Sequence, residues 1–257
     1  MLGAIAGDVI GSRFERSNRK SKSFELFTEN SHITDDSVMS IAIQDTIRTI
    51  IALDANDKEA KEICIETMQR YGRDFPGAGY GNAFYNWIFS DNPKPYNSFG
   101  NGAIMRVTSI AFELDDLDKI LHYAELVTEV THNHPQAIKA AKAICEAIYV
   151  ARTTKDKAKV MDVMTRYGYI IPDIDTLRKT YKFDVSCDGT VPAVMSAFIA
   201  SDDFEDAIRN AISLGGDSDT IACIVGALAE AYYGEVPEEI KEELIQYVPR
   251  NIYKLAE

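Results

Sequence analysis

The spacing of apolar positions is helical along most of the chain. From Thr34 to about Ile51, apolar residues fall at 38, 41, 42, 47, 50 and 51, which traces one helix face, and Thr34 supplies a natural cap. Ala60, Ile63, Cys64, Thr67, Met68 and Tyr71 repeat the pattern, with Gly72 as the expected stop. Asp116 predicts the cap of a helix through Leu117, Ile120, Leu121, Ala124, Leu126 and Val127. Pro135 suits a first helical position and opens a run to about Arg152. Further helices are expected around 155–167, 191–200, 203–214, 219–233 and 237–246. Two-residue alternation is hard to find over a strand's length, so the expected fold is all-α, with about a dozen helices.

Small residues sharpen this picture. Gly3, Gly7 and Gly11 are spaced four apart and form a smooth ridge on one helix; Ala222, Gly226 and Ala229-Glu230 do something similar later. Such ridges let helix backbones approach closely, which suits a compact orthogonal helical bundle. No Gly/Ser or Pro linker and no fixed-period repeat divides the chain, so residues 1–257 are expected to form a single domain. Three stretches read as loops, Ser12 to Ile33, Gly77–Gly81 and Asn92–Gly102, and long loops inside a helical domain are often functional.

Composition then narrows the function classes. Lys+Arg 27 against Asp+Glu 40 gives a net charge of −13, a field that repels phosphate backbones, so nucleic acid is not an expected partner. No apolar run approaches the ~20 residues of a membrane span. The apolar start Met1–Gly7 lacks a basic flank and is interrupted by Asp8, unlike a signal peptide. Cys64, Cys145, Cys187 and Cys223 are far apart with no C-x-x-C pair, and three of them occupy apolar helix positions; a reduced, cytoplasmic setting is the expectation.

Two acidic clusters are the candidates for chemistry. Ile33-Thr34-Asp35-Asp36-Ser37 opens a predicted helix, and its local reading is a threonine cap with acids opposing the helix dipole. Gly215-Gly216-Asp217-Ser218-Asp219-Thr220 also has a local reading, in which glycine closes one helix and aspartate caps the next. Capping needs one acceptor, however, and this turn offers two carboxylates and two hydroxyls. An EF-hand loop from Asp217 fails at its sixth and twelfth positions, Ala222 and Leu228, and a D-D-x-x-D pattern from Asp35 fails at Met39. Brought together by folding, the two oxygen-rich helix starts would suit hard divalent cations such as Mg²⁺, Mn²⁺ or Ca²⁺. Four aspartates would outweigh the positive helix ends and could hold a pair of ions ~4 Å apart. His132 and His134 in Thr131-His132-Asn133-His134-Pro135 have H-x-H spacing, but no further zinc ligands follow. Tyr80, Tyr85 and Trp87 read as core or pocket wall, and Asp8 as a buried polar support rather than a ligand.

Four segments resemble the ADP-ribosylglycohydrolase family. They are Gly3-Ala4-Ile5-Ala6-Gly7-Asp8-Val9-Ile10-Gly11 with Phe14-Glu15, then Thr34-Asp35-Asp36, then Ser98-Phe99-Gly100-Asn101-Gly102-Ala103-Ile104-Met105-Arg106, and finally Leu214-Gly215-Gly216-Asp217-Ser218-Asp219-Thr220. They come in the family's order. The resemblance implies an all-helical domain of that type, two Mg²⁺ or Mn²⁺ ions, and hydrolysis of the N- or O-glycosidic bond joining ADP-ribose to an acceptor, a protein side chain or a small molecule. By matching positions it implies that Thr34, Asp35, Asp36, Asp217, Asp219 and Thr220 ligate the metals, with Asp35 and Asp36 also catalytic.

Glu15 matches the family's mobile-loop glutamate, which lies over the metals and takes part in catalysis; its plain alternative is a solvated acid among Arg13, Arg16 and Arg19. Ser98, Phe99, Gly100, Asn101 and Gly102 match the loop that holds the ADP-ribose diphosphate. There Gly100 and Gly102 are expected to permit unusual backbone angles and to turn N–H groups toward an anion. Phe99 would pack on the ligand and His132 would touch it near the adenosine; the alternative for His132 is simply the end of one helix before Pro135 starts another. Where many relatives show Gly-Ala near the end of the last helix, this chain has Glu230-Ala231, a change of packing and not of a proposed ligand. The chain is also compact for the family, with little room for acceptor-recognition loops. A catalytically silent ADP-ribose-binding protein on the same fold is the alternative, disfavoured because a silent protein need not keep all six Thr and Asp ligands. A metal-dependent phosphoesterase acting on the diphosphate is a third reading and would yield AMP.

Overall fold

The computed structural model describes residues 1–257, and its secondary structure is helical apart from one isolated antiparallel bridge between Gly100 and Ser186. After α1 (Leu2–Gly11) a long loop leads to α2 (Asp35–Leu53), where Thr34 accepts the N–H of Asp36 at 3.2 Å, the expected cap. The next helix, α3 (Asp57–Asp74), starts from a capping box between Asn56 and Glu59 and runs through Gly72. Gly72 is therefore not a stop. A Cβ there would sit 2.7 Å from Ile88, so the glycine is where α4 (Asn82–Ile88) packs onto α3. A 3₁₀ turn joins α5 (Gly102–Arg106) to α6 (Ile110–Glu113). Asp116, Pro135 and Asp156 mark the starts of α7 (Leu117–Glu129), α8 (Pro135–Thr154) and α9 (Lys157–Arg166).

The short α10 (Ile174–Thr180) lies outside the expected helices, and α11 (Cys187–Ile199) begins earlier than the apolar spacing predicts. Ser186 caps α11 and Pro192 lies inside it, in the second turn. The remaining helices are α12 (Phe204–Leu214), α13 (Ser218–Tyr233), α14 (Glu238–Leu244) and α15 (Arg250–Ala256).

The glycine ridge sets the centre. All ten residues of α1 are buried, and α1 runs antiparallel to α13. A Cβ on Gly3 would lie 2.3 Å from the Gly226 carbonyl oxygen, one on Gly7 1.9 Å from that of Ala222, and one on Gly11 2.7 Å from the Asp219 Cα. No side chain fits in those gaps, so bare backbone fixes both the spacing and the register of the pair. That register delivers the last turn of α1, and the chain leading to Glu15, to the first turn of α13. Glu230 accepts the N–H of Gly3 at 2.8 Å, a partner for an otherwise orphaned donor at the start of α1. The 77 buried apolar residues form one cluster, so the helices that carry the two acidic starts are braced against the same core. No helix is long and apolar enough to cross a membrane.

Candidate active site and metal centre

The turn into α13 is built by two glycines with positive φ, 69° at Gly215 and 77° at Gly216. Residues with a Cβ resist such angles, and here they bring the chain round so that Asp217 enters α13 at the cap position. Asp217 makes no capping hydrogen bond. Its carboxylate instead accepts Asn101 Nδ2 at 2.6 Å. The local capping reading of this turn therefore fails for Asp217, whereas Thr34 does cap α2 and faces the site as well.

The two acidic starts meet. Thr220 Oγ1 donates to Asp36 Oδ2 at 3.0 Å across 184 residues of sequence. Asp8, Asp36 and Asp219 place carboxylate oxygens within 4.8 Å of one another, all three buried. Asp35 and Asp217 line the same cavity as Asp36, Asp219, Thr34 and Thr220. Asp8, in the middle of α1, is tied to the start of α2. It accepts the Thr34 N–H at 2.9 Å, Thr34 Oγ1 at 2.6 Å, the Ser37 N–H at 3.1 Å and the Ser37 hydroxyl. Three of these donors fall on Oδ2 and one on Oδ1, so Asp8 orients the first turn of α2 while Oδ1 keeps a lone pair.

The electrostatics call for a cation. Burial first, and the carboxylates of Asp219, Asp8, Asp35 and Asp217 next, raise Asp36 well above the ordinary carboxylate range. Asp219 is raised well above it by burial and then by Asp217, Asp8 and Glu15. Asp35 is pushed up to about 7 by burial, with Asp8, Asp217 and Glu15 adding to the effect. Burial also raises Asp217, against the lowering hydrogen bond from Asn101. Asp36 Oδ1 is buried with no hydrogen-bond partner. A cluster of acids that repel one another, with a bare carboxylate oxygen at its middle, has the donor chemistry of a hard divalent-cation site. The residues present fit a metal ion.

The acids line one wall of an open cavity of about 770 Å³. Glu15, about one-third exposed, is at its rim beside Arg16, 3.9 Å away. Another wall carries Ser98, Gly100, Asn101, Gly102 and His132. This loop is pinned to the start of α11: Asn101 N–H donates to the Val185 carbonyl at 2.7 Å and Cys187 N–H to that of Phe99 at 2.9 Å. Gly100 and Gly102 do not have positive φ, contrary to the expectation. Their missing side chains leave the cavity wall open, since a Cβ at either would stand over the His132 ring, 3.8 and 3.6 Å from Nε2. Phe99 is not in that wall. Alternation along the extended loop turns Ser98 and Gly100 inward and Phe99 outward, where it is 51% exposed with its ring 5.4 Å from His134. Tyr85 is likewise on the surface, not in the pocket wall, while Tyr80 and Trp87 are buried.

The sequence profile of the ADP-ribosylglycohydrolase family matches residues 1–257. The chain belongs to the ADP-ribosylglycohydrolase family. Among its relatives, human ADP-ribosylhydrolase ARH3 is 25% identical over 98% of this chain and 90% of its own length. The ADP-ribosylarginine hydrolase Tri1 of Pseudomonas putida (strain GB-1) is 23% identical over 100% of this chain and 76% of its own. A solved chain described as an ADP-ribosylglycohydrolase-related protein complex superposes with a TM-score of 0.69 at 21% identity, covering 100% of this chain and 96% of that one, and so shares the fold. The protein is a glycohydrolase of ADP-ribose linkages, and a buried aspartate triad stands at its centre.

Several residues of this ADP-ribosylglycohydrolase that shape the cavity carry no sequence signal. Phe183 and Val185 are about half-exposed and line the cavity from the segment before α11, a stretch without periodicity. Arg106 ends a recognised segment, yet only its burial and the neighbouring Thr131 reveal its part in the wall.

Proposed function

We propose that the protein hydrolyses the glycosidic bond between C1″ of ADP-ribose and an acceptor group, with two Mg²⁺ or Mn²⁺ ions held by Thr34, Asp35, Asp36, Asp217, Asp219 and Thr220. The observation that carries this reading is the 3.0 Å hydrogen bond from Thr220 to Asp36, which joins the two acidic helix starts inside the cavity. When bound, the ions would supply Lewis-acid charge to the reaction and polarise water. Glu15 holds that water at the rim and takes its proton. The water oxygen bonds to C1″ as the bond from C1″ to the acceptor nitrogen or oxygen breaks, through an oxocarbenium-like transition state, and the proton taken by Glu15 passes to the departing acceptor, which leaves neutral. Ser98, Gly100, Gly102 and His132 receive the diphosphate, and Phe183 and Val185 offer apolar surface to the adenosine. Asn101, bonded to Asp217, makes the diphosphate loop and the acid cluster one mechanical unit. We assign the whole of 1–257 to one catalytic domain and place it in the cytoplasm, in keeping with four buried free thiols.

The test is a product assay on ADP-ribosyl-arginine, an ADP-ribosyl-serine peptide and O-acetyl-ADP-ribose, each with Mg²⁺, Mn²⁺ or EDTA. We expect free ADP-ribose from at least one conjugate, only with metal. Binding without release would make the protein a silent reader, AMP would make it a phosphoesterase, and full activity in EDTA would remove the metals from the mechanism.

A further inference from the structure

His132 has a partner on one ring nitrogen and none on the other. Thr131 Oγ1 lies 2.7 Å from His132 Nδ1, and Arg106 Nη2 donates to the same hydroxyl at 2.6 Å. Arginine has only donors, so Thr131 Oγ1 accepts from it. Thr131 is fully buried and its hydroxyl meets no acceptor other than His132 Nδ1. Were Nδ1 to carry the proton, two donors would converge on one oxygen and the hydroxyl hydrogen would be left buried and unpaired. The arrangement that satisfies every group runs one way, from Arg106 N–H to Thr131, and from Thr131 O–H to Nδ1. Nε2 then bears the hydrogen. It faces the bare backbone of Gly100 and Gly102 on the cavity wall.

We propose that Arg106 and Thr131 are positioning residues that fix His132 as its Nε2–H tautomer, so that the imidazole offers the cavity a hydrogen-bond donor for an anionic phosphoryl oxygen. The ligand half of this proposal rests on the ADP-ribose reading of the cavity; the tautomer half does not. The charged and titratable groups facing the ring are Arg106 and, with its ring 5.8 Å away, Tyr96. Arg106 is buried with no carboxylate partner, its Nε unpaired. Burial chiefly, and then this neighbouring positive charge, keep the imidazole well below its ordinary protonation range, so it stays neutral. Donor dipoles aligned from a guanidinium through a hydroxyl to an imidazole strengthen one another, which makes the terminal N–H a better donor than an isolated histidine would supply. An Nδ1–H tautomer would instead turn a lone pair toward the phosphate and repel it.

The direct test is nitrogen-15 NMR of the histidine rings in the full-length protein, with His132→Gln to assign the signal among the four histidines. We expect an unprotonated Nδ1 and a protonated Nε2 in the wild type, unchanged between pH 6 and 8. Thr131→Val should release the tautomer and raise the Kd for ADP-ribose, measured calorimetrically with Mg²⁺, by about tenfold, the value of one hydrogen bond to a charged group. Thr131→Ser should restore both. A protonated Nδ1 in the wild type, or Thr131→Val with tautomer and affinity intact, overturns the proposal. If wild-type protein fails to bind ADP-ribose at all, the ligand half falls with the proposed function, while the NMR result decides the tautomer half on its own.

Discussion

Removing one acid from the cluster should stabilise the metal-free protein while destroying its response to metal. Asp35 shows the size of the effect. Its carboxyl rises from 3.8 in the unfolded chain to about 7 in the fold, so the fold is favoured by the protonated form and opposed by the charged one. That contribution is fully present below about pH 4 and is lost as pH rises through about 7. Above pH 7 the penalty for holding Asp35 ionised would be about 4 kcal/mol by linkage. Asp35 is only partly buried, and water in the open cavity screens it, so we take about half, ~2 kcal/mol, which corresponds to roughly 4–8 °C in melting midpoint. Asp36 and Asp219, raised further, act in the same direction. The assay is a thermal melt in EDTA at pH 6.5 and 8, then with Mn²⁺. Wild-type protein should melt lower at pH 8 than at pH 6.5 in EDTA and regain stability with Mn²⁺. Asp35→Asn should melt above wild type in EDTA at pH 8 and gain little from Mn²⁺. An Asp35→Asn protein that melts at or below wild type in EDTA at pH 8, or that keeps the full Mn²⁺ increment, would refute the reasoning.

Other outcomes follow from the same geometry. Glu15→Gln should lower kcat by about 10²–10⁴-fold, the usual worth of a positioned proton acceptor, with ADP-ribose affinity unchanged by calorimetry. Asp8→Asn leaves the six proposed ligands in place but disturbs the hydrogen bonds that orient the start of α2, and should weaken Mn²⁺ binding by about 10–100-fold in a titration. Gly7→Ala puts a methyl 1.9 Å from the Ala222 carbonyl oxygen and should cost about 1–3 kcal/mol or more in urea unfolding.

The parts of this molecule legible in its sequence are those governed by local chemistry. Thr34, Asp116 and Pro135 begin helices because a cap or a proline acts within one turn. The spacing of Gly3, Gly7 and Gly11 predicts a close helix contact, while its pairing with the later small-residue ridge comes from the fold. Gly72 reads as a helix stop because a glycine that admits Ile88 looks, in sequence, like one that ends a helix. Phe99 was placed by its motif, yet the extended loop turns it away from the cavity that its neighbours line. Phe183 and Val185 come from a stretch that no local pattern marks, and the bond from Arg106 to the Thr131-His132 pair is made only by folding. The acidic starts lie between these cases. Each is legible as a cluster, while the bond between Thr220 and Asp36 belongs to the tertiary structure.

The most direct measurement is a Mn²⁺ titration of the full-length protein followed by electron paramagnetic resonance. We expect two Mn²⁺ per chain with the broadened, spin-coupled signal of ions a few ångströms apart, and loss of that coupling in Asp36→Asn. Uncoupled Mn²⁺ of weak affinity, or a wild-type stoichiometry untouched by Asp36→Asn, would contradict a shared metal centre at the two helix starts.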